Sequence, residues 1–394
     1  MNTNIVFGQG SIEQWRAFAE QNPTTNPGQL VEKAIQKGKV EVVQWGLQNE
    51  NIDINQPCDP QQYGSRSPLL AALHADNPQM VSLIASQPHF DLAKSLPEFE
   101  RWIWARNATL EVLQQFLEIP GTDINQKDCN GKTLLHEIVY DIRSFDKIKL
   151  LLSLERIIID AKQSDGTTPL YHAGLAGNIQ AFELLIDHGA DVNTRNNDNL
   201  WSILMCAIAN NKIEIVQRLL NRPGTDVNTK DDLQRTPLHI AAEYGRSQIF
   251  GLLLERAEIQ INSKDHLGWT PLIKACFFGN DTIVKMLIDR VDLEVNFVDQ
   301  SRQTALFHAA SIGNTKIVHM LLADPRVNIA ITNRPAHLTA LEMAKALGHT
   351  DIVTFLTQKE TNKDVLSSND PYVEQNAIQE NKQIIRPPIR KSKK

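Results

Sequence analysis

The sequence predicts an all-α fold with short hairpin-like loops, a solenoid of about nine to ten helix-turn-helix units. Three observations carry this. Thr168, Ser202, Thr236, Thr270 and Thr304 follow one another at intervals of 34 residues, with Thr133 and Thr339 extending the ladder at intervals of 35. The phrase around them recurs as Thr168-Pro169-Leu170, Thr236-Pro237-Leu238-His239 and Thr270-Pro271-Leu272. A buried helical stripe led by Ile215, Ile249, Ile283, Ile317 or Ile352 returns thirteen residues after the last five anchors, as in Ile215-Val216…Leu219-Leu220 and Ile317-Val318…Leu321-Leu322. A fixed period of this size means stacked supersecondary units, each covering its neighbour's apolar face.

Each element of the unit has a local reason. The anchor hydroxyl caps an orphan amide of the first turn, and Pro fits the first helical position because its missing N–H would be unpaired there anyway. Ala173, Ala207, Ala241, Ala275, Ala309 and Ala344, five residues on, let neighbouring helices approach closely. Gly177, Gly245, Gly279, Gly313 and Gly348, or Asn211, then supply the left-handed residue that ends a helix. The first helix is therefore about two turns long. The Ile-led stripe makes a second helix. A phrase ending in Asn closes it, as in Asp191-Val192-Asn193, Asp226-Val227-Asn228, Gln260-Ile261-Asn262 and Glu294-Val295-Asn296. A projecting loop then leads to the next anchor.

These residues, recurring in register, resemble ankyrin repeats. The rival at this period, the tetratricopeptide repeat, has a Trp/Leu-Gly/Tyr signature that does not recur here. Regular repeats are expected over 163–357, continuous with degenerate ones over 29–162. Among the latter, Thr133-Leu134-Leu135-His136 opens a unit with Ile142 in the helix-ending position. Gly121-Thr122-Asp123-Ile124-Asn125 closes a unit with no legible start. Ser67-Pro68-Leu69 opens another, with Asp76 in the Gly position. Trp102-Ile103-Trp104 reads as irregular core. Residues 1–28 form an N-terminal cap or irregular segment, with Ser11 to Trp15 a candidate capping helix. Residues 358–394 read as a disordered basic tail ending in Arg386-Pro387-Pro388-Ile389-Arg390-Lys391-Ser392-Lys393-Lys394.

Composition narrows the function. The net charge is −6, which argues against nucleic-acid binding by the array. No stretch approaches the ~20 apolar residues of a membrane span, and no secretion leader is evident. Cys58, Cys129, Cys206 and Cys276 are scattered singly, as buried thiols in a reducing compartment would be. The expected location is cytoplasmic, with the nucleus as an alternative through the tail. No Gly-rich phosphate loop or nucleophile elbow is present, and no metal, cofactor or catalytic residue is expected. An unrecognised active site in 63–162 is the remaining enzymatic reading.

The resemblance implies that His136 and His239 bond across to neighbouring loops, while His172 and His308, one residue later in the phrase, need not. It also implies that loop residues before each anchor, and the two before the helix-ending Gly, face a concave groove. Candidate partner-binding residues there are Trp201, Leu233, Arg235, Tyr244, His266, Leu267, Trp269, Phe277 and Phe278. Trp201, Arg235 and Trp269 share one slot in successive units, which stacking would align about 10 Å apart. The competing reading is that the Phe pair and the tryptophans pack beneath the adjoining repeat. The expected function is a monomeric, non-catalytic scaffold holding a protein in this groove. An alternative is a regulatory or secreted bacterial effector-type protein, acting in a host cytosol, whose array recruits a target and whose tail localises it.

Overall fold

A computed structural model describes residues 10–22, 26–48, 52–58, 66–96 and 102–364. Of the tail read as disordered, 358–394, residues 358–364 instead continue the helix Thr350–Asp364, and residues 365–394, the basic segment Arg386–Lys394 among them, lie outside the described residues. The chain divides into two compact units, Met1–Thr194 and Arg195–Lys394. Each is built of paired short α-helices, and no extended strand occurs among the described residues.

In the second unit the pairs are Ile203–Ala209 with Ile213–Leu220, Pro237–Glu243 with Ser247–Leu254, Pro271–Phe277 with Asp281–Ile288, Ala305–Ile312 with Thr315–Ala323, and Ala340–Leu347 with Thr350–Asp364. Successive first helices pack on one another, and so do successive second helices. The anchors cap as expected: Ser202, Thr270 and Thr304 hydroxyls accept from the amides of Met205, Ile273 and Phe307 at 3.2–3.3 Å. Thr236 is capped differently. Its N–H donates to His239 Nδ1 at 3.1 Å, so the imidazole proton sits on Nε2, which donates to Trp269 O at 2.9 Å. One histidine thus ties a helix start to the following loop. His136 does the same in the first unit, between Thr133 N and Thr167 O.

The loops are stitched by backbone and Asn. His266 N donates to Leu233 O at 2.9 Å, Gln300 N to Leu267 O at 3.1 Å and Arg334 N to Ser301 O at 2.8 Å. Asn228 donates to Glu258 O at 2.8 Å and accepts from Gln260 N at 2.9 Å, and Asn262 and Asn296 repeat that bridge one unit on. The recurrent Asn read from the sequence is therefore an inter-repeat clamp.

Left-handed backbone recurs at two slots. One is nine residues after the anchor, at Asp76, Gly177, Asn211, Gly245, Gly279, Gly313 and Gly348. The other, two residues before the anchor, holds Gly131, Gly166, Leu200, Gln234, Gly268, Arg302 and His337. Gly131 is doubly required: its φ is +77°, and a Cβ there would lie 2.8 Å from Ser164 N.

The first unit contains Pro27–Gln36 with Val40–Leu47, Pro68–His74 with Pro78–Ala85, Leu134–Ile138 with Phe145–Leu152, and Pro169–Ala176 with Ile179–Asp187. Ser11 caps the helix Ile12–Gln21, whose Trp15 is buried. The helix Pro27–Gln36 begins inside the segment read as irregular.

The start that sequence could not supply is a 3₁₀ turn, Ile103–Arg106, paired with Leu110–Leu117. Trp102 just before it and Trp104 within it are buried, with ring centroids 6.0 and 5.0 Å from Phe116. Buried Lys147 closes the turn's orphan carbonyls, reaching Ala105 O, Arg106 O and Ala108 O at 2.9–3.0 Å. Where Ile142 replaces the helix-ending Gly, the preceding helix shortens to five residues and Ile142 stands exposed. Cys58, Cys206 and Cys276 are buried, whereas Cys129 is exposed at a loop tip, contrary to the expectation of buried thiols.

Candidate functional site

The face formed by the loops and the ends of the first helices has a polar floor in the second unit. Asp231, Asp265 and Asp299 occupy one slot, 34 residues apart. Each uses Oδ1 to hold its loop, accepting from Leu233 N and Arg235 N, from Leu267 N and Trp269 N, and from Ser301 N and Gln303 N at 2.7–3.0 Å. Their Oδ2 atoms then meet four different cations or donors. Asp231 Oδ2 takes Arg235 Nε at 2.8 Å and Trp201 Nε1 at 3.1 Å. Asp265 Oδ2 lies 3.3 Å from Lys274 Nζ, an ion pair not aligned as a hydrogen bond. Asp299 Oδ2 takes His308 Nε2 at 2.9 Å.

Glu243 links the first two of these. It meets Arg235 Nη1 at 3.3 Å and Lys274 Nζ at 3.2 Å. Burial disfavours the Arg235 charge, but Asp231 and Glu243 more than offset that and raise its pKa. The Arg235 guanidinium also lies 5.6 Å from the Trp201 ring centroid, and Lys274 Nζ 5.0 Å from that of Trp269. Internal partners engage each of these charges, so the floor's first role is to hold the loops in place.

The residues singled out from sequence separate into two groups. Trp269 is only 7% exposed, its ring 4.8 Å from both Phe277 and His308. It shares a slot with Arg235 and Trp201, but its ring turns inward, so it offers a partner little surface. Phe277 is partly buried in the same cluster. Trp201, Leu233, Arg235 and Leu267 are half-buried, and His266 is exposed at a loop tip with Nδ1 3.1 Å from Leu233 O.

Tyr244 and Phe278 stand out, 44% and 46% exposed. Ile312 and Leu347 continue them at 44% and 38%. All four sit eight residues after an anchor, the last position before the left-handed residue that ends the first helix. They form an exposed apolar stripe across four successive repeats. Leu347 was missed from the sequence, although Gly348 at the next position was read correctly; the signal was the shared slot.

The first unit carries a different set at the positions equivalent to the floor. Glu137 forms ion pairs with Arg106 and Lys132, and both cations lie over the Tyr140 ring, at 5.1 and 5.7 Å. Tyr140 OH bonds His172 Nδ1, whose Nε2 is 3.1 Å from Thr167 Oγ1, itself 2.6 Å from Asp165. Burial holds His172 down to about 3 and His136 down to about 4, and burial also raises the Tyr140 phenol. Groups shifted this way stay uncharged at neutral pH and make poor proton acceptors or nucleophiles. Among the described residues, no cluster of three or more His, Cys, Asp or Glu side chains is arranged to hold a metal ion. No helix there is long and apolar enough to cross a membrane.

Comparison with known proteins gives the repeats a family. A family model described as "Ankyrin repeats (3 copies)" matches residues 102–196, 203–299 and 291–369, and a second ankyrin model matches 175–220. Relatives include an ankyrin repeat protein of fowlpox virus (strain NVSL), 30% identical over 143 residues, covering 35% of this chain and 42% of that protein. A second fowlpox virus protein of the same description is 36% identical over 108 residues, 20% of this chain and 19% of its own length. Delta-latroinsectotoxin-Lt1a of Latrodectus tredecimguttatus is 37% identical over 75 residues, 19% of this chain and 6% of the toxin. The chain thus spans well under two thirds of these relatives. The matched models cover more than half of it, and the chain belongs to the ankyrin repeat family.

Proposed function

We propose that this protein is a non-catalytic interaction module that docks a protein partner on the loop-and-helix-end face of residues 195–364. The observation that carries the reading is the stripe Tyr244, Phe278, Ile312 and Leu347. Contiguous apolar side chains left at the surface, rimmed by polar loops, mark contact sites, and aromatic anchors dominate such contacts. The floor supports the reading from beneath: Asp231, Arg235, Glu243, Lys274 and Asp265 pair with one another, so the stripe is presented on a preorganised base. Burial of His136 and His172 in the neutral form supports the non-catalytic part.

The test is affinity capture with the full chain, comparing wild type with a Tyr244→Ser/Phe278→Ser variant. Both side chains are exposed, so the fold should survive, checked by the thermal melt. Loss of the proteins held by wild type is expected. Their unchanged retention by a folded variant would sink the reading.

A further inference from the structure

The stripe has a pitch, and the pitch restricts what can lie along it. Tyr244, Phe278, Ile312 and Leu347 project from the same slot of four first helices that pack in succession. Packed helices lie about 8–10 Å apart, so apolar contacts repeat at about that distance. A β-strand advances ~3.3 Å per residue and alternates faces, so its same-face side chains fall about 6.6 or 13 Å apart. Neither matches. An α-helix returns a side chain to nearly the same face every seven residues, about 10.5 Å on, and a polyproline II segment does so every three, about 9.3 Å on.

Backbone chemistry separates these two. A polyproline II segment has no internal hydrogen bonds, and each amide and carbonyl turned toward a docking face needs a partner there. Of the four stripe side chains only Tyr244 carries a polar group. Behind them Glu243, Lys274 and Asp265 are paired among themselves, and His308 is held by Asp299. An α-helix brings its backbone already satisfied. The rim adds a charge pattern: the loop tips carry exposed Asp198 and Asp232 at one end and exposed Arg302 and Arg334 at the other, while the Arg246 guanidinium lies over the Tyr244 ring at 5.9 Å.

Resting on the docking function proposed above, we infer that the partner element is an amphipathic α-helix lying along the stripe. It carries apolar side chains at every seventh position, basic residues over the Asp198/Asp232 end and acidic residues over the Arg302/Arg334 end.

The test uses synthetic peptides of about 28 residues with the full chain, read by titration calorimetry and circular dichroism. The first has four leucines seven apart, with lysines grouped in one half and glutamates in the other. It is expected to bind, to gain helicity on binding, and to bind at least tenfold more weakly to a Phe278→Ser/Ile312→Ser variant whose melt is unchanged. A peptide of the same leucines with mixed charges should bind several-fold more weakly at low salt. One with the leucines scattered, and a proline-rich one with leucine every third residue, should bind at least tenfold more weakly.

Failure of the first peptide to bind, equal binding by the scattered or proline-rich peptide, or indifference to Phe278→Ser/Ile312→Ser would overturn the inference. Capture that depends on Tyr244 and Phe278 while the helical peptide fails overturns the helix alone. Capture indifferent to them removes the docking face itself.

Discussion

The two units solve the same packing problem with different residues. Across 195–364 each anchor is a capped helix start and each first helix ends at a left-handed residue, so local rules suffice, and the core is mainly aliphatic, with Phe250 and Phe307 among it and small residues at close approaches. Across 102–152 the signature fails twice, at the 3₁₀ turn Ile103–Arg106 and at the five-residue helix Leu134–Ile138. There, volume comes from Trp102, Trp104 and Phe116, and the turn's carbonyls are satisfied by the buried ammonium of Lys147. A repeat frame therefore tolerates loss of its signature where the space is refilled and the backbone polar groups find partners. The slot eight residues after the anchor differs as well: it holds Ala75, Asp141 and Ala176 in the first unit, and the exposed apolar Tyr244, Phe278, Ile312 and Leu347 in the second.

The sharpest way to break this contrast is to remove the volume. Trp104→Ala should cost about 3–5 kcal/mol and open the first unit, with hydrogen exchange rising over 102–152 while 236–347 keeps its protection. Equal loss across both units would show that the refilled core is not local.

Acid comes next. His136 and His172 in the first unit, and His239 in the second, have folded pKa values depressed by burial to about 4, about 3 and about 4. With the folded value below the unfolded one, the unfolded chain binds more protons. The stability each neutral imidazole contributes is intact above pH ~6.5 and is lost as pH falls toward the folded value, by up to ~1.4 kcal/mol per pH unit for each group. Hydrogen exchange corrected for intrinsic rate, compared at about pH 7 and pH 5, should show the first unit losing roughly twice the protection of the second.

The floor is tested by Asp231→Asn. It removes the ion pair to Arg235 and disrupts the acceptor for Trp201 Nε1, and leaves a half-buried guanidinium with Glu243 as its one charged partner on the floor. A loss of about 2–3 kcal/mol is expected from urea unfolding, with Trp201 fluorescence changed in the native state. The smallest effect belongs to the loop slot. Leu200 holds φ +57°, a conformation that costs a side-chain-bearing residue about 1 kcal/mol. Leu200→Gly should stabilise by at most ~1 kcal/mol by thermal melt, whereas Gly131→Ala at the same slot should destabilise because Ser164 N blocks a Cβ.

Much of this was legible beforehand because it is local. A Thr hydroxyl, a Pro ring or a left-handed Gly acts within four residues, so Thr270-Pro271 and Gly279 announce a helix start and end without reference to the rest of the chain. The bonds of His136 and His239 to the next loop were legible through the family resemblance. The 3₁₀ turn at Ile103–Arg106 was not, because the atoms that hold it are on Lys147, some forty residues away. Nor was the fate of the tryptophans: Trp201 and Trp269 share a slot, but His308 and Phe277 fold over one and Arg235 lies over the other.

By itself, then, the sequence determined the family, the helix pairs and the positions of their turns, since these depend on short-range backbone chemistry repeated in register. Only the tertiary structure decided which of the loop and helix-end side chains remain at the surface. Tyr244, Phe278, Ile312 and Leu347 do and Trp269 does not, because exposure is set by side chains from the adjoining repeat, which no local pattern encodes.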